Sequence, residues 1–259
     1  IENRREKLMN SIILELSAIE DKIIDNTGMY SFEIYKKLSE ILEIEKKEDL
    51  RVSNIFGEFF NETIKLEKGK KYKIRVITKS QKSFSNLQKK LFEIAVNKEK
   101  IEIGEGVFRL SGIITKNETW CGEYDLKKEW DNLSPEITDF YEKIKMKIVN
   151  PILVNRKSVL GFDKILEIIL KDVENEVEFE MGKVKESILN SVIVKKEYYR
   201  EKRVNLLNNE IKKVYLGDIE VILQGYYGKM LLSFLQYVKY TGVGELKEYG
   251  FGEIIIKKD

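Results

Sequence analysis

The chain has 259 residues, 42% of them hydrophobic and 35% charged, which allows one large domain or two ordinary ones, is too apolar for a disordered chain, and includes no apolar run near the ~20 residues of a membrane span. It contains no histidine and a single cysteine, Cys121, so Ser-His-Asp triads, Cys-His pairs, histidine metal sites, internal disulfides and cysteine-rich zinc sites are excluded, and any proton transfer falls to Tyr, Lys, Glu, Asp or Arg. A net charge of +2, from 46 basic against 44 acidic residues, points to no partner by itself.

The opening, IENRREKLMNSIILELSAIE, is not a secretion signal, because Glu15 and Glu20 break its short apolar stretch. With so little cysteine the expected compartment is a reducing cytoplasm. Ser11–Ser17 reads as a strand, and Asn26-Thr27-Gly28 as a turn. Tyr30–Leu42 repeats apolar residues with a helical period at Phe32, Ile34, Tyr35, Leu38, Ile41 and Leu42. Leu50–Phe60 reads as extended. Lys68-Gly69-Lys70 marks a hairpin between TIKLE and KYKIRVITK. Ser83–Val96 is a second helix, capped by Ser83 or Ser85. Ile101–Thr115 is strand-rich, bent at Gly104 and Gly106. This order, β-α-β-β-α-β, is the ferredoxin-like pattern.

Residues 117–142, polar and containing Pro135, read as a linker between an N-terminal domain over 1–116 and a C-terminal domain over 143–259. The second half repeats the order. Ile144–Val149 is a strand ending at Pro151, and Gly161–Val177 is a helix. Lys183–Arg203 begins helical and turns basic and extended. Ile211–Tyr215 and Ile219–Leu223 form a hairpin around Leu216-Gly217-Asp218. Lys229–Tyr240 is a helix and Gly252–Lys258 a closing strand. The fold expected is therefore α+β, two tandem ferredoxin-like (RRM-like) βαββαβ domains, a repeat of element order without sequence identity.

Charge is unevenly spread. Lys65–Lys100 holds twelve basic residues against three acids, and Lys183–Lys213 nine against four. Two such blocks suit a polyanion groove, with Lys70 and Lys71 in the first and Tyr199, Arg200 and Arg203 in the second. Tyr198, Tyr199 and the arginines suit base stacking, and the lysines suit phosphates. Tyr226 and Tyr227 flank the last helix. Between that helix and the last strand lies GVGELKEYGFG, with Gly242, Gly244, Gly250 and Gly252 in G-x-G-(five residues)-G-x-G spacing. Glycine permits positive φ and close backbone approach, and exposed amides can cradle phosphate oxygens with Lys247 beside them. Helix, glycine loop, strand is the reverse of the dinucleotide fingerprint, and no P-loop Gly-Lys-Ser/Thr follows.

GVGELKEYGFG before a terminal strand resembles the C-terminal signature of the RAMP superfamily, the CRISPR-associated RNA-binding proteins built from ferredoxin-like domains. Within it the chain is most similar to the endoribonucleases that process precursor CRISPR RNA. Met29–Ile41 looks like that family's first helix, Lys145–Leu170 like the start of its second domain, and GYYGKMLLSFL at Gly225–Leu235 like the strand end and helix before the loop. The resemblance implies CRISPR repeat RNA as partner, other effector subunits as further partners, no cofactor, no metal and no membrane. It implies attack of a ribose 2′-hydroxyl on the adjacent phosphate, leaving a 2′,3′-cyclic phosphate. It also implies RNA contacts at Gly242, Gly244, Lys247, Gly250, Phe251 and Gly252. The family's usual histidine near the end of the first helix has no counterpart here. Tyr35 matches the helix tyrosine, and Lys46 and Lys47, with Glu43 or Glu45, occupy the histidine's region. Tyr35, Lys46 and Lys47 are the catalytic candidates. A subunit that binds guide RNA without cutting it is the alternative.

Overall fold

The computed structural model describes residues 8–26, 29–44, 49–116, 119–154, 160–177, 179–206 and 210–258. The chain forms two compact units. Ile1–Glu123, Arg203–Lys212 and Glu248–Gly250 make up the first, and Tyr124–Lys202, Lys213–Lys247 and Phe251–Asp259 the second.

The first unit runs β1 (Met9–Ala18), β2 (Lys22–Asp25), α1 (Ser31–Leu42), β3 (Leu50–Val52), β4 (Thr63–Leu66), β5 (Lys71–Thr78), α2 (Gln81–Asn97), β6 (Lys100–Ile103) and β7 (Gly106–Ile114), closing with β8 (Gly122–Tyr124). The main sheet has the order β3-β5-β1-β7-β6, with β8 also on β1. Its pairings are antiparallel where β1 meets β5 and β7, where β3 meets β5, and where β6 meets β7. Strands β1, β3, β5 and β7 with helices α1 and α2 are the expected ferredoxin-like unit, and β6 widens it. The two-residue period of the strands and the 3.6-residue period of the helices build one core. Ile12, Leu14 and Leu16 of β1 and Tyr72, Ile74 and Val76 of β5 face Ile34, Leu38 and Leu42 of α1 and Leu87, Leu91 and Ile94 of α2. Each such aliphatic side chain contributes roughly 1.5–3 kcal/mol when fully buried.

Several details depart from the sequence expectation. The turn at Lys68-Gly69-Lys70 does not join a hairpin. Strand β4 pairs antiparallel with β2 in a separate two-stranded sheet, while β5 pairs with β1 and β3. Ala18 N–H donates to Lys70 O and Gly69 N–H to Ala18 O, so β1 claims the partners a hairpin would have used. Only Leu50–Val52 of the predicted extended stretch Leu50–Phe60 is strand. The cap of α2 is Ser80, whose hydroxyl accepts from Ser83 N–H at 3.1 Å. Residues 117–142 are not a plain linker, since they carry β8 and a short helix.

The second unit holds that helix, α3 (Leu126–Asp131), then β9 (Tyr141–Leu153), α4 (Phe162–Glu174), α5 (Met181–Asn190), β10 (Val192–Asn205) up to Lys202, β11 (Ile211–Gln224) from Lys213, α6 (Gly225–Thr241) and β12 (Ile254–Lys258), while of a 3-10 turn at Lys247–Tyr249 only Lys247 belongs to it. Its sheet has the order β10-β11-β9-β12, the same βαββαβ topology with α5 inserted. Buried Ile165, Leu166, Ile169 and Leu170 of α4 and Leu231, Phe234, Leu235 and Val238 of α6 cover it. The predicted hairpin around Gly217 is one continuous strand, β11, whose pairing with β9 shifts register between Tyr215 and Gly217. Gly217 is there for space. A Cβ would overlap the Tyr198 carbonyl oxygen and lie 2.8 Å from the Tyr199 ring. Opposite that shift Pro151 sits within β9, where a missing N–H costs no ladder bond. Among the described residues no helix is long and apolar enough to cross a membrane.

Candidate nucleic-acid interface

The glycine-rich loop is built by close backbone approach. Gly242 ends α6 at φ +76°, and its N–H donates to Val238 O at 2.7 Å. Val243 N–H donates to Gly252 O at 3.0 Å, Glu245 N–H to Leu153 O at 2.9 Å, and Gly252 N–H to Pro151 O at 2.8 Å. Gly244 has φ +94°, and a Cβ would fall 2.5 Å from Leu153 O. At Gly252, φ +65°, a Cβ would overlap the Val243 carbonyl. Gly250 has φ +83°, and its Cβ would fall 2.8 Å from Val52 O and 2.9 Å from Ser53 Cα. These amides are therefore not the bare donors expected from the sequence. Those of Gly242, Val243, Glu245 and Gly252 bond within the fold, and Gly242, Gly250, Phe251 and Gly252 are buried. The part of the loop that reaches solvent is residues 244–249. Its cation, Lys247, is engaged: Nζ lies 2.7 Å from Asp172 Oδ2 of α4, with both side chains about a quarter exposed.

In the first unit, Tyr35 lies on the inward face of α1 and is 8% exposed. Burial raises its pKa, opposed by a hydrogen bond with Ser39 and reinforced by the charge of Glu248. At neutral pH the phenol keeps its proton, which makes it a donor and a poor base. Its neighbour from the loop is Tyr249, which the sequence reading passed over. The Tyr249 ring stands edge-on to Tyr35 at 5.0 Å between centroids and 73° between planes. It also lies against Phe32 at 4.0 Å and 33°. An aromatic one residue from a required glycine was the available signal. Burial raises the pKa of Tyr249 as well. The helix ends in a left-handed Glu43, φ 52°, whose carboxylate lies 3.7 Å from Lys90 Nζ. Lys46 and Lys47, and with them Glu45, lie outside the described residues.

The two basic blocks differ once folded. In the first, Lys70 pairs with Glu67 at 2.5 Å and lies over the Tyr72 ring, while Lys71 and Lys73 share Glu15 at 3.5 and 3.3 Å. These are surface pairs that a phosphate could displace at little cost. Arg75 does not belong to that surface. It is fully buried, donates from Nε to Ser11 Oγ (2.8 Å) and Trp120 O (2.9 Å), and its guanidinium lies 5.4 Å from the Trp120 ring. In the second block, β10 is an edge strand with Lys195, Lys196, Tyr198, Arg200 and Arg203 exposed. Tyr199 is not a free stacking surface. Its hydroxyl donates to Glu197 Oε2 at 3.1 Å, and the same oxygen accepts from Phe162 N–H at 3.0 Å, so the pair anchors the first turn of α4. Burial first, then Glu197, raises the Tyr199 pKa. Tyr226 and Tyr227 pack edge-on to each other at 5.1 Å. Among the described residues no three or more Cys, Asp or Glu converge as a metal ion requires.

This is a two-unit ferredoxin-like α+β fold with a glycine-rich loop between its last helix and last strand. No family model matches the chain, and no curated protein matches it by sequence. Solved structures of Cas6, a CRISPR-associated protein, share the fold. A histidine-to-alanine mutant of Cas6 is 16% identical, with 96% of this chain and 99% of that one covered and a TM-score of 0.68. A Cas6 substrate-mimic complex is 18% identical, covering 97% and 100%, with a TM-score of 0.64. Cas6 from Thermus thermophilus is 14% identical, covering 96% and 98%, with a TM-score of 0.64.

Proposed function

We propose that the chain binds CRISPR repeat RNA and cuts it as a metal-independent endoribonuclease, releasing mature guide RNA. The observation that carries this reading is the fold match to Cas6 over 97% of this chain and 100% of the other, that Cas6 being held with a substrate mimic. In the reaction, the 2′-oxygen bonds to phosphorus as its proton leaves, the bond from phosphorus to the 5′-oxygen breaks, and that oxygen takes a proton. The products are a 2′,3′-cyclic phosphate and a 5′-hydroxyl. Without histidine, alignment of the 2′-oxygen and charge around the five-coordinate phosphate provide most of the acceleration. Tyr35, held protonated, donates to the phosphate or the leaving oxygen. Lys46 and Lys47, just after α1, offer positive charge, and Glu43 or Glu45 a carboxylate base. The loop's exposed stretch, with Gly244 and Lys247, and the exposed Arg200 and Arg203 of β10 bind the strand, alongside Lys70 and Lys71. The single buried Cys121 suits work in a reducing cytoplasm.

The absence of histidine favours a second reading, a guide-RNA-binding subunit of a CRISPR effector complex that does not cut. Incubation of the protein with its cognate repeat RNA in EDTA decides between them. The expected result is one cut with a cyclic-phosphate end. Tight binding with intact RNA at saturating protein overturns cleavage in favour of the subunit, and no binding overturns both.

A further inference from the structure

We infer that Tyr249 is a positioning residue for Tyr35: its ring, wedged beside Phe32, fixes the Tyr35 phenol for the reaction. The inference rests on the cleavage reading above. Of the five residues between the two glycine pairs, Glu245–Tyr249, only Tyr249 is aromatic, and its ring packs against the core that contains Tyr35. Two rings fix its position, Phe32 tilted at 4.0 Å and Tyr35 edge-on at 5.0 Å. Such offset and edge-on pairs are directional, so they hold a ring in orientation as well as place.

The backbone next to it is held independently. Gly250, at φ +83°, sits so close to Val52, Ser53 and Asn54 that no Cβ fits. Residues Glu248–Gly250 belong to the first unit, whereas the chain on either side of them belongs to the second. A three-residue excursion with a steric lock at Gly250 and an aromatic lock at Tyr249 is more than a helix-to-strand connection needs. What it places beside Tyr35 is the Tyr249 ring and the Glu248 carboxylate, whose charge adds to burial in pushing the pKa of that phenol up. A hydroxyl free to rotate in water would share its proton with solvent, whereas one whose ring is fixed edge-on by its neighbour presents it in one direction, which is the requirement for donation to a developing oxyanion.

The test uses the full chain with Tyr249→Ala and Tyr249→Phe. Three quantities are measured: the single-turnover cleavage rate at saturating repeat RNA, the dissociation constant of a non-cleavable repeat carrying a 2′-deoxy at the scissile ribose, and the titration of Tyr35. The last is the 295 nm absorbance difference between each protein and the same protein carrying Tyr35→Phe. Tyr249→Ala is expected to slow cleavage ten-fold or more, change the dissociation constant less than three-fold, and move the Tyr35 titration down toward that of a free tyrosine. Tyr249→Phe, which keeps the ring, is expected to retain at least half the rate and the raised titration. A Tyr249→Ala protein that cleaves at the wild-type rate overturns the inference, as does a Tyr249→Phe protein as slow as Tyr249→Ala, which would make the hydroxyl itself the acting group. If the wild-type protein binds RNA but leaves it intact, the cleavage reading fails and the titration alone judges this inference: a Tyr35 titration unmoved by Tyr249→Ala overturns it, and a downward shift sustains Tyr249 as the residue that orders Tyr35.

Discussion

Asp172 decides what the cation of the glycine loop can do. Lys247 is the only basic residue of the loop, and its ammonium is 2.7 Å from the Asp172 carboxylate. An incoming phosphate must compete with that carboxylate. Partly exposed pairs of this kind contribute up to ~1 kcal/mol, so the competition weakens phosphate binding by at most about five-fold. Replacing Asp172→Asn removes the charge and keeps the shape. It is expected to tighten the binding of non-cleavable repeat RNA two- to five-fold in a filter-binding titration, with little change in thermal stability. Weaker binding in the variant would mean that Asp172 aims Lys247 at the phosphate. No sequence pattern links two residues 75 positions apart, which is why Lys247 reads as free from sequence and is engaged in the fold. Tyr199 and Arg75 follow the same logic. Residue type suggested a stacking ring and a surface cation, but distant parts of the chain turned each into structure: α4, whose Phe162 N–H shares Glu197 with the first, and Trp120 and Ser11 for the second.

At the scale of elements, local pattern carried the long helices and most of the strands, missed the short β2, β8 and α3, and stopped at pairing. The periods of Tyr30–Leu42 and Ser83–Val96 return as α1 and α2 within a residue or two of their ends, because burial of one face decides them. The partners of β4 and the unbroken run of β11 depend on strands far along the chain, which period alone does not encode. The glycine spacing was legible, but its purpose is closeness of backbones more than openness of amides. A pair of substitutions separates these causes. Gly69 and Gly252 both have positive φ, +81° and +65°, yet a Cβ at Gly69 meets nothing within 4 Å and at Gly252 overlaps the Val243 carbonyl. Gly69→Ala should cost only the backbone preference, ~1–2 kcal/mol. Gly252→Ala should cost that and the displacement of Val243 from its bond to Gly252 O, enough to lower the melting temperature several times further or to prevent folding. Equal melting temperatures for the two variants would contradict the close-approach account.

Across the whole molecule, 46 basic and 44 acidic residues leave almost no net field, so long-range attraction of a polyanion is weak and capture of RNA must depend on where cations stand uncommitted. Lys70, Lys71 and Lys73 in the first unit stand against Glu67 and Glu15, and each must exchange one carboxylate for a phosphate. Arg200 and Arg203 are exposed on the edge strand β10 beside Lys195 and Lys196, on a strand whose outer edge has no partner in the sheet among the described residues. Counterion release ties the two situations to a measurable quantity, because each phosphate neutralised adds ~0.7–0.9 to the slope of log affinity against log salt. Changing Arg200→Glu together with Arg203→Glu should therefore lower the affinity for non-cleavable repeat RNA at least ten-fold at low salt and flatten that slope by ~1–2. Changing Lys70→Gln together with Lys71→Gln should alter the affinity less than three-fold and flatten the slope by less than the arginine change does, because each of these lysines gives up a carboxylate to take a phosphate. Filter binding over a salt series reads both. The reverse ranking, a flat response in the arginine variant and a steep loss in the lysine variant, would move the RNA contact from β10 to Lys70 and Lys71.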